Sequence, residues 1–320
     1  LKMRIVDSIE ETGTGWQSAV GRGLMEDQGT YLEAGSAKEQ LESGQYEDAL
    51  DLYRDEMGDR AYENPETTVK TPKFRKFAQG GGEVLKPAEA QDRLKHWKKV
   101  ASDQGKTGKN SQKVVLSLFD SSGVISKPWA DAGYQVFRLD LDEASLVAEN
   151  VDISKVTAEF YMEEILDVVG SVDVVLAQPP CTDFANSGAR WFKGKDESGA
   201  TQKSIELVDQ TLKSIEFLRP KLWAIENPIG RIKRMTGLPN ANLVFDPFMY
   251  GDPYTKRTQL WGEFNEALPQ AVTPPTKGSL IHKLSGNNPA HKKLRSLTPE
   301  GFAYSFFMAN QNYENDFAQR

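Results

Sequence analysis

The sequence predicts an α/β fold: a doubly wound, mostly parallel sheet with a mainly helical N-terminal appendage. Three observations carry this reading. The runs Val114-Val115-Leu116-Ser117-Leu118-Phe119 and Val172-Asp173-Val174-Val175-Leu176-Ala177 are short, apolar and rich in β-branched residues, as strands covered on both faces are. Turn residues or prolines end each run, and amphipathic helical patterns alternate with the runs along the chain. Acidic or nucleophilic side chains (Asp120, Asp140, Cys181, Glu226) stand at or just past strand ends, where an open α/β sheet has its ligand crevice.

The 320 residues suffice for one large domain or two smaller ones, and 38% hydrophobic with 10% aromatic content is ordinary for a globular chain. One cysteine excludes an internal disulfide and a cysteine-based zinc site, and no cluster has metal-ligand spacing. With no leader and no membrane-spanning apolar run read in the sequence, the expectation is a reducing, cytoplasmic compartment, not secretion, and no membrane partner. Charge is uneven. Residues 1–68 hold 6 Lys+Arg against 16 Asp+Glu, whereas residues 69–113 hold 12 against 4. The first block reads as an acidic helical appendage and the second as a basic linker; together they fill 1–112, with no catalytic constellation and no identified protein partner.

Val114 opens the sheet. After Phe119 comes the turn Asp120-Ser121-Ser122-Gly123, then a helix with Pro128 near its start, then a strand over Val136–Leu139 with Asp140 at its end. Small turn residues let the backbone approach a cofactor, and an acid beyond the next strand can accept ribose hydroxyls. Asp152-Ile153, after a further helix, is a candidate adenine contact.

The third strand ends in Gln178-Pro179-Pro180, and Cys181 follows at once. Proline has no N–H for a sheet ladder, so the chain must leave the sheet there. A thiol in that place is a nucleophile if it ionises. Residues 186–200 combine Gly188, Gly194 and Gly199 with Arg190, Lys193 and Lys195 around Trp191 and Phe192, which reads as a lid carrying phosphate-binding charge. Thr201–Leu218 is an amphipathic helix, and Lys221–Ile225 is a strand running into Glu226-Asn227-Pro228. In a parallel sheet, Cys181 and Glu226 therefore lie on one edge, a nucleophile beside a proton donor.

With these residues in order, the chain resembles the cytosine-C5 DNA methyltransferase family over roughly residues 113–310. Leu118–Gly123 followed by Ala132-Gly133-Tyr134 looks like the family's cofactor motif. Pro180–Ala185 is similar to P-C-Q-x-F-S, and Glu226-Asn227-Pro228 to E-N-V. Tyr250–Thr258 looks like Y-G-x-P-Q-x-R-x-R, and Arg295–Glu300 is similar to R-x-L-T-x-x-E. The chain departs from the pattern at Ser121, Thr182, Ala185, Pro228, Lys256 and Thr258, and no clear G-N-x-[VI] motif closes it.

The resemblance implies a class I, Rossmann-like catalytic domain at 113–262 that uses S-adenosylmethionine. A short target-recognition segment at 263–294 and a C-terminal return at 295–320 complete the division. The implied catalytic residues are Cys181, Glu226, Asn227 and Arg257. The implied cofactor contacts are Phe119, Asp120, Ser121, Ser122, Gly123, Asp140, Asp152, Ile153 and Pro179. The implied contacts to double-stranded DNA are Arg190, Lys193, Lys195 and Lys256. The reaction implied is methyl transfer to C5 of a flipped cytosine through a covalent bond from Cys181 to C6. The alternatives are an inactive relative that binds DNA or cofactor as a regulator, and a variant acting on RNA or with a modified donor. A thymidylate-synthase-like enzyme would want His after the cysteine, where Thr182 stands, and would leave the upstream cofactor-type unit unexplained.

Overall fold

The computed structural model describes residues 83–140, 149–150, 163, 166–167, 169–279 and 294–313, together with Phe74. The helices expected between Ser36 and Gly58, the candidate adenine contacts Asp152 and Ile153, and most of the expected target-recognition segment lie outside the described residues.

Among the described residues, seven strands form one sheet in the order β3-β2-β1-β4-β5-β7-β6. They are β1 (Val114–Leu118), β2 (Gln135–Asp140), β3 (Glu149–Asn150), β4 (Val174–Ala177), β5 (Leu222–Pro228), β6 (Leu243–Phe245) and β7 (Thr258–Glu263). The pairs β1–β2, β1–β4, β2–β3 and β4–β5 are parallel, and β7 runs antiparallel to both β5 and β6. The α/β, doubly wound, mostly parallel class is thus the architecture observed. Strand order reverses between β1 and β4, which makes the carboxyl ends of these two strands the switch-point crevice.

Register then fixes which side chains share that edge. Leu118 pairs with both Leu139 and Ala177, and Ala177 pairs with Ile225. The residues following this row are Phe119, Asp140, Gln178 and Glu226, so the turn after β1, the end of β2, the Pro-Cys turn and the Glu-Asn-Pro sequence all open on one side.

Alternate residues of the same strands enter two different cores. Val115, Val174, Leu176, Leu222 and Ala224 join the cluster on one face, and Val114, Leu116, Leu118, Val175, Ala177 and Ile225 join the other. Burial on both faces is why these strands read as continuous apolar runs. The second face is covered by α4 (Ala200–Leu218) through Val208, Ile215 and Leu218. The first is covered by α1 (Pro87–Gly105), α2 (Lys127–Asp131) and α5 (Glu300–Asn310). Trp129 of α2 meets Tyr134 and Phe307 edge-on, each at 5.1 Å between centroids. Each such fully buried aromatic contributes roughly 1.5–3 kcal/mol by leaving water.

Helix α1 falls inside the stretch expected as appendage and linker, yet Ala90, Leu94, Trp97 and Ala101 recur at helical spacing and enter the same cluster as the sheet. Pro87 occupies its first turn, and the Lys86 amide donates to Glu89 Oε2 at 2.8 Å. Lys98 pairs with the buried Glu300 of α5 at 2.6 Å. By packing, this helix belongs with the sheet. The expected lid is also structured: a 3₁₀ turn at Asn186–Trp191 leads into a short helix, α3 (Phe192–Glu197).

Candidate active site

The turn after β1 is held by Asp120. Its Oδ2 accepts hydrogen bonds from Ser117 Oγ at 2.9 Å and Ser126 Oγ at 2.6 Å. Burial pushes its carboxyl above the usual carboxylate range, against those two hydroxyls and the nearby charge of Arg138. Oδ1 is buried with no hydrogen-bond partner among the described residues, an unmet acceptor in a candidate cofactor loop. Asp120→Ala should leave the two serine hydroxyls unmatched and cost about 1–3 kcal/mol of stability, read by urea unfolding.

Two backbone features beside it require comment. Phe119 adopts φ 59, a left-handed conformation that bulky side chains rarely take and that clusters at functional sites. Gly123 has φ 70, a left-handed conformation that favours glycine, and the Arg138 guanidinium lies over the space a Cβ would take. Asp140 stands at the end of β2, and Phe119 N donates to Leu139 O at 2.7 Å, which draws the turn and the acid together. Ser121 and Ser122 sit half-buried along the same turn. The loop Phe119–Gly123 with Asp140 is therefore a cradle fit for a nucleoside-bearing group. It offers a close backbone approach, an unmet acceptor and a carboxylate at the neighbouring strand end.

The second half of the site is the Cys181 turn. Pro179 is buried, and its carbonyl accepts a hydrogen bond from Asn227 Nδ2 at 2.9 Å. Asn227 is fully buried, so it binds the end of β5 to the turn after β4. Ala185 and Gly230 bridge antiparallel, Arg231 N donates to Phe184 O at 2.8 Å, and Asn186 N donates to Ile229 O at 3.0 Å. A Cβ on Gly230 would lie 1.9 Å from Phe184 O, so this approach also demands glycine.

Cys181 is half-buried. Desolvation pushes its thiol up; Lys256 pulls it back, the carboxylate of Glu226 adds to the rise, and Arg295 lowers it. Glu226 is buried, with Oε1 lacking a partner among the described residues. Burial pushes this carboxyl up as well, opposed first by Lys256 and then by a hydrogen bond from Thr258. Thiol, carboxyl and ammonium thus form one electrostatic cluster. Lys256 is 5% exposed and donates from Nζ to Leu297 O at 2.8 Å. Gln178 donates to Thr298 Oγ1 from the other side, so Leu297 and Thr298 of the C-terminal return close over the site. A small cavity of about 10 Å³ beside Glu226 is lined by Ile125, Leu176, Ala177, Gln178, Ala224, Leu260, Phe302 and Phe306.

The placement of two basic residues differs from expectation. Lys256, expected to contact DNA, is buried at Cys181 and Glu226; Arg257, expected at the catalytic centre, is exposed. Extended backbone sends neighbouring side chains to opposite sides, so only one of the two can face inward. Lys195, also expected on DNA, donates to Thr182 O at 2.6 Å and pairs with Asp183 Oδ1 at 2.9 Å. Arg190 and Lys193 remain exposed, and the Arg190 guanidinium lies 4.9 Å from the ring centroid of Trp191.

The residue that sequence reading did not single out is Arg231. It follows Glu226-Asn227-Pro228 by three positions, outside any quoted motif, and its charge alone gave no signal of burial. With Asn186, Phe192, Gly230, Lys233 and Arg234 it lines an open groove beside the lid.

No protein-family model matches the chain. It is 28% identical over 214 residues to a protein of Frog virus 3 (isolate Goorha) named "Probable DNA (cytosine-5)-methyltransferase", a match over 58% of this chain and 94% of that one. It is 24% identical over 202 residues to the "Type II methyltransferase M.AgeI" of Thalassovita gelatinovora, over 54% of this chain and 44% of that protein, so it spans less than half of that relative. A solved E. coli protein described as a "putative DNA modification methyltransferase encoded within prophage" aligns at TM-score 0.35 and 16% identity, over 47% of this chain and 46% of that one, too partial an overlap to bear on function.

Proposed function

We infer that this chain, a divergent member of the cytosine-C5 DNA methyltransferase family, transfers a methyl group to C5 of a cytosine in DNA. The observation that carries the reading is the convergence of Cys181, Glu226 and Lys256 at adjoining strand ends, one strand from a cofactor-type cradle.

The residue chemistry fits that reaction. C5 of cytosine is a weak nucleophile while the ring stays aromatic. Addition of the Cys181 thiolate to C6 breaks that aromaticity, and the electron pair displaced from the C5–C6 bond passes into the ring toward N3. Glu226, protonated in its buried setting, gives a hydrogen bond or its proton to N3 and stabilises that charge. Lys256 supplies fixed positive charge at the same point. C5 then acquires the methyl, its proton departs to a base, and the C6–S pair returns to sulfur as the thiolate leaves. S-adenosylmethionine supplies an electrophilic methyl when bound, and Phe119–Gly123 with Asp140 would hold it.

A base inside a duplex cannot be reached this way, so the cytosine must flip out, at a cost of a few kcal/mol. Trp191 is 59% exposed, borne on the 3₁₀ turn that starts five residues after Cys181, with the exposed Arg190 against its ring and the exposed Lys193 two residues on. It is the side chain suited to fill the vacated stack. Base–aromatic stacking is worth roughly 1–3 kcal/mol, so Trp191→Ala should lower kcat/KM by about 5- to 150-fold. The loss should shrink on a duplex whose target cytosine is mismatched, since that base is already unpaired; an equal loss on both duplexes would reject the assignment.

The function itself is tested by incubating the protein with methyl-tritiated S-adenosylmethionine and duplex DNA of mixed sequence, then digesting to nucleosides. Label in 5-methylcytosine is expected. Label confined to RNA in a parallel reaction, or cofactor binding with no label in either polymer, would replace this reading with an RNA enzyme or a binding regulator.

A further inference from the structure

The Cys181 turn is fastened to the lid by one side chain. Arg231 is 7% exposed. Its Nε donates to the carbonyl of Asp183, two residues past Cys181, at 2.8 Å. Its Nη1 and Nη2 form a fork on the carboxylate of Asp196 in α3 at 2.8 and 2.7 Å, and Nη2 also reaches Thr201 Oγ1 at 2.9 Å. The guanidinium lies 3.7 Å from the ring centroid of Phe192. Thr201 Oγ1 completes the ring by donating to Asp196 at 2.5 Å. Four polar contacts and one stacking contact thus leave a single planar group. They tie the nucleophile turn, the lid helix and the start of α4 to the segment that follows Glu226. A guanidinium can do this because its donors are coplanar and forked; an ammonium cannot.

A second cation works on the same turn. Lys195 of α3 holds Thr182 O and the Asp183 carboxylate, and that carboxylate also accepts from Ser204 Oγ at 2.6 Å. Asp183 is therefore gripped by backbone and by side chain from three elements. Arg231 holds the Asp196 carboxyl well down, to about 2, as its forked hydrogen bonds to the charged form require.

We propose that Arg231 is a positioning residue: it latches the lid to the nucleophile turn through Asp196 and Asp183, and so sets both the placement and the accessibility of Cys181. The proposal rests on Cys181 being the nucleophile, but not on the identity of the substrate.

The chain has one cysteine, which makes the test direct. The rate of alkylation of the full chain by iodoacetamide is measured across pH for wild type, Arg231→Met, Arg231→Lys, Asp196→Asn and the exposed groove control Lys233→Met, with melting temperatures alongside. Arg231→Met should raise the alkylation rate about tenfold or more, and the midpoint of its pH profile should fall toward the ordinary thiol value as water enters. Asp196→Asn should shift both in the same direction by less, Arg231→Lys should restore part of the protection, and Lys233→Met should match wild type. On DNA, Arg231→Met should lower kcat and leave the KM for S-adenosylmethionine unchanged. Wild-type alkylation in Arg231→Met would overturn the proposal. Should Arg231→Met fail to fold, Asp196→Asn, altered on the exposed lid side, decides alone: wild-type rate there removes the latch. Variants that alkylate as expected in a protein that methylates no DNA would keep the latch and discard the proposed function.

Discussion

Cys181→Ala abolishes methyl transfer, with a fall on the order of 10⁴- to 10⁶-fold, as expected when a covalent nucleophile is removed from residues that act as a unit. Cofactor binding should persist, because the cradle at Phe119–Gly123 and Asp140 lies on β1 and β2, across the crevice from the Pro-Cys turn. Single-turnover kinetics with equilibrium binding separates the two. The same variant carries a stability signature. The folded thiol is raised by burial, so it favours the folded state while neutral, and that contribution is lost as pH rises through its folded value. Removing the thiol should flatten the alkaline decline in melting temperature.

Glu226→Gln is the second large effect: kcat falls by about 10²- to 10⁴-fold, the range for a positioned acid. The shape of the pH profile is more telling than the size of the loss. The productive form carries one proton between the pair, on the carboxyl with the thiol ionised. Activity in the wild type should therefore rise as a second proton leaves, through a value above the usual carboxylate range, and fall as the last proton leaves on the alkaline side. These apparent values belong to the pair. With glutamine only the thiol titrates, so the bell should become a single rise. That rise should come at lower pH than the wild-type alkaline limb, since the Glu226 charge that lifts the thiol is gone and Lys256 is unopposed. A bell that survives the substitution would remove Glu226 from the acid role.

Stability should move in the opposite sense. A buried carboxyl whose folded value is raised stabilises the fold below the ordinary carboxylate value and loses that contribution as pH rises through the folded value. Above its raised folded value the ionised Glu226 costs stability, and its Oε1 has no partner among the described residues. Glu226→Gln should therefore raise the melting temperature on the alkaline side of that value, by about 2–4 °C for each kcal/mol relieved. Lower activity with higher stability is the signature of a strained site.

How far the sequence led follows from where each signal lay. β1, β4 and β5 were legible because burial on both faces leaves continuous apolar runs, and the parallel order then placed Cys181 and Glu226 on one edge. β7 was not read, since Thr258–Glu263 mixes polar and apolar residues and its partner β6 has only three residues. Helix α1 was read as a helix but assigned to the basic segment, because its exposed lysines dominate local composition while Ala90, Leu94, Trp97 and Ala101 do the packing. The turn at Asp120 was read as a cofactor contact, and its serine ligands Ser117 and Ser126 show how the same carboxylate also shapes the loop. The exchange between Lys256 and Arg257 depended on which of two neighbours an extended segment turns inward, which periodicity leaves undetermined without an anchor. Arg231 was invisible because its partners, Asp183, Asp196 and Thr201, lie 30 to 48 positions away in sequence.

The most direct test of the central claim is to trap the enzyme on DNA. A duplex bearing 5-fluorocytosine in random context is incubated with S-adenosylmethionine and the protein, then run under denaturing conditions. Fluorine cannot leave as a proton does, so turnover should stop with Cys181 bonded to C6, giving a complex that survives denaturant, maps by mass spectrometry to the Cys181 peptide and is absent in Cys181→Ala. A protein that converts ordinary cytosine to 5-methylcytosine yet forms no such complex, or whose complex persists in Cys181→Ala, would contradict the covalent mechanism.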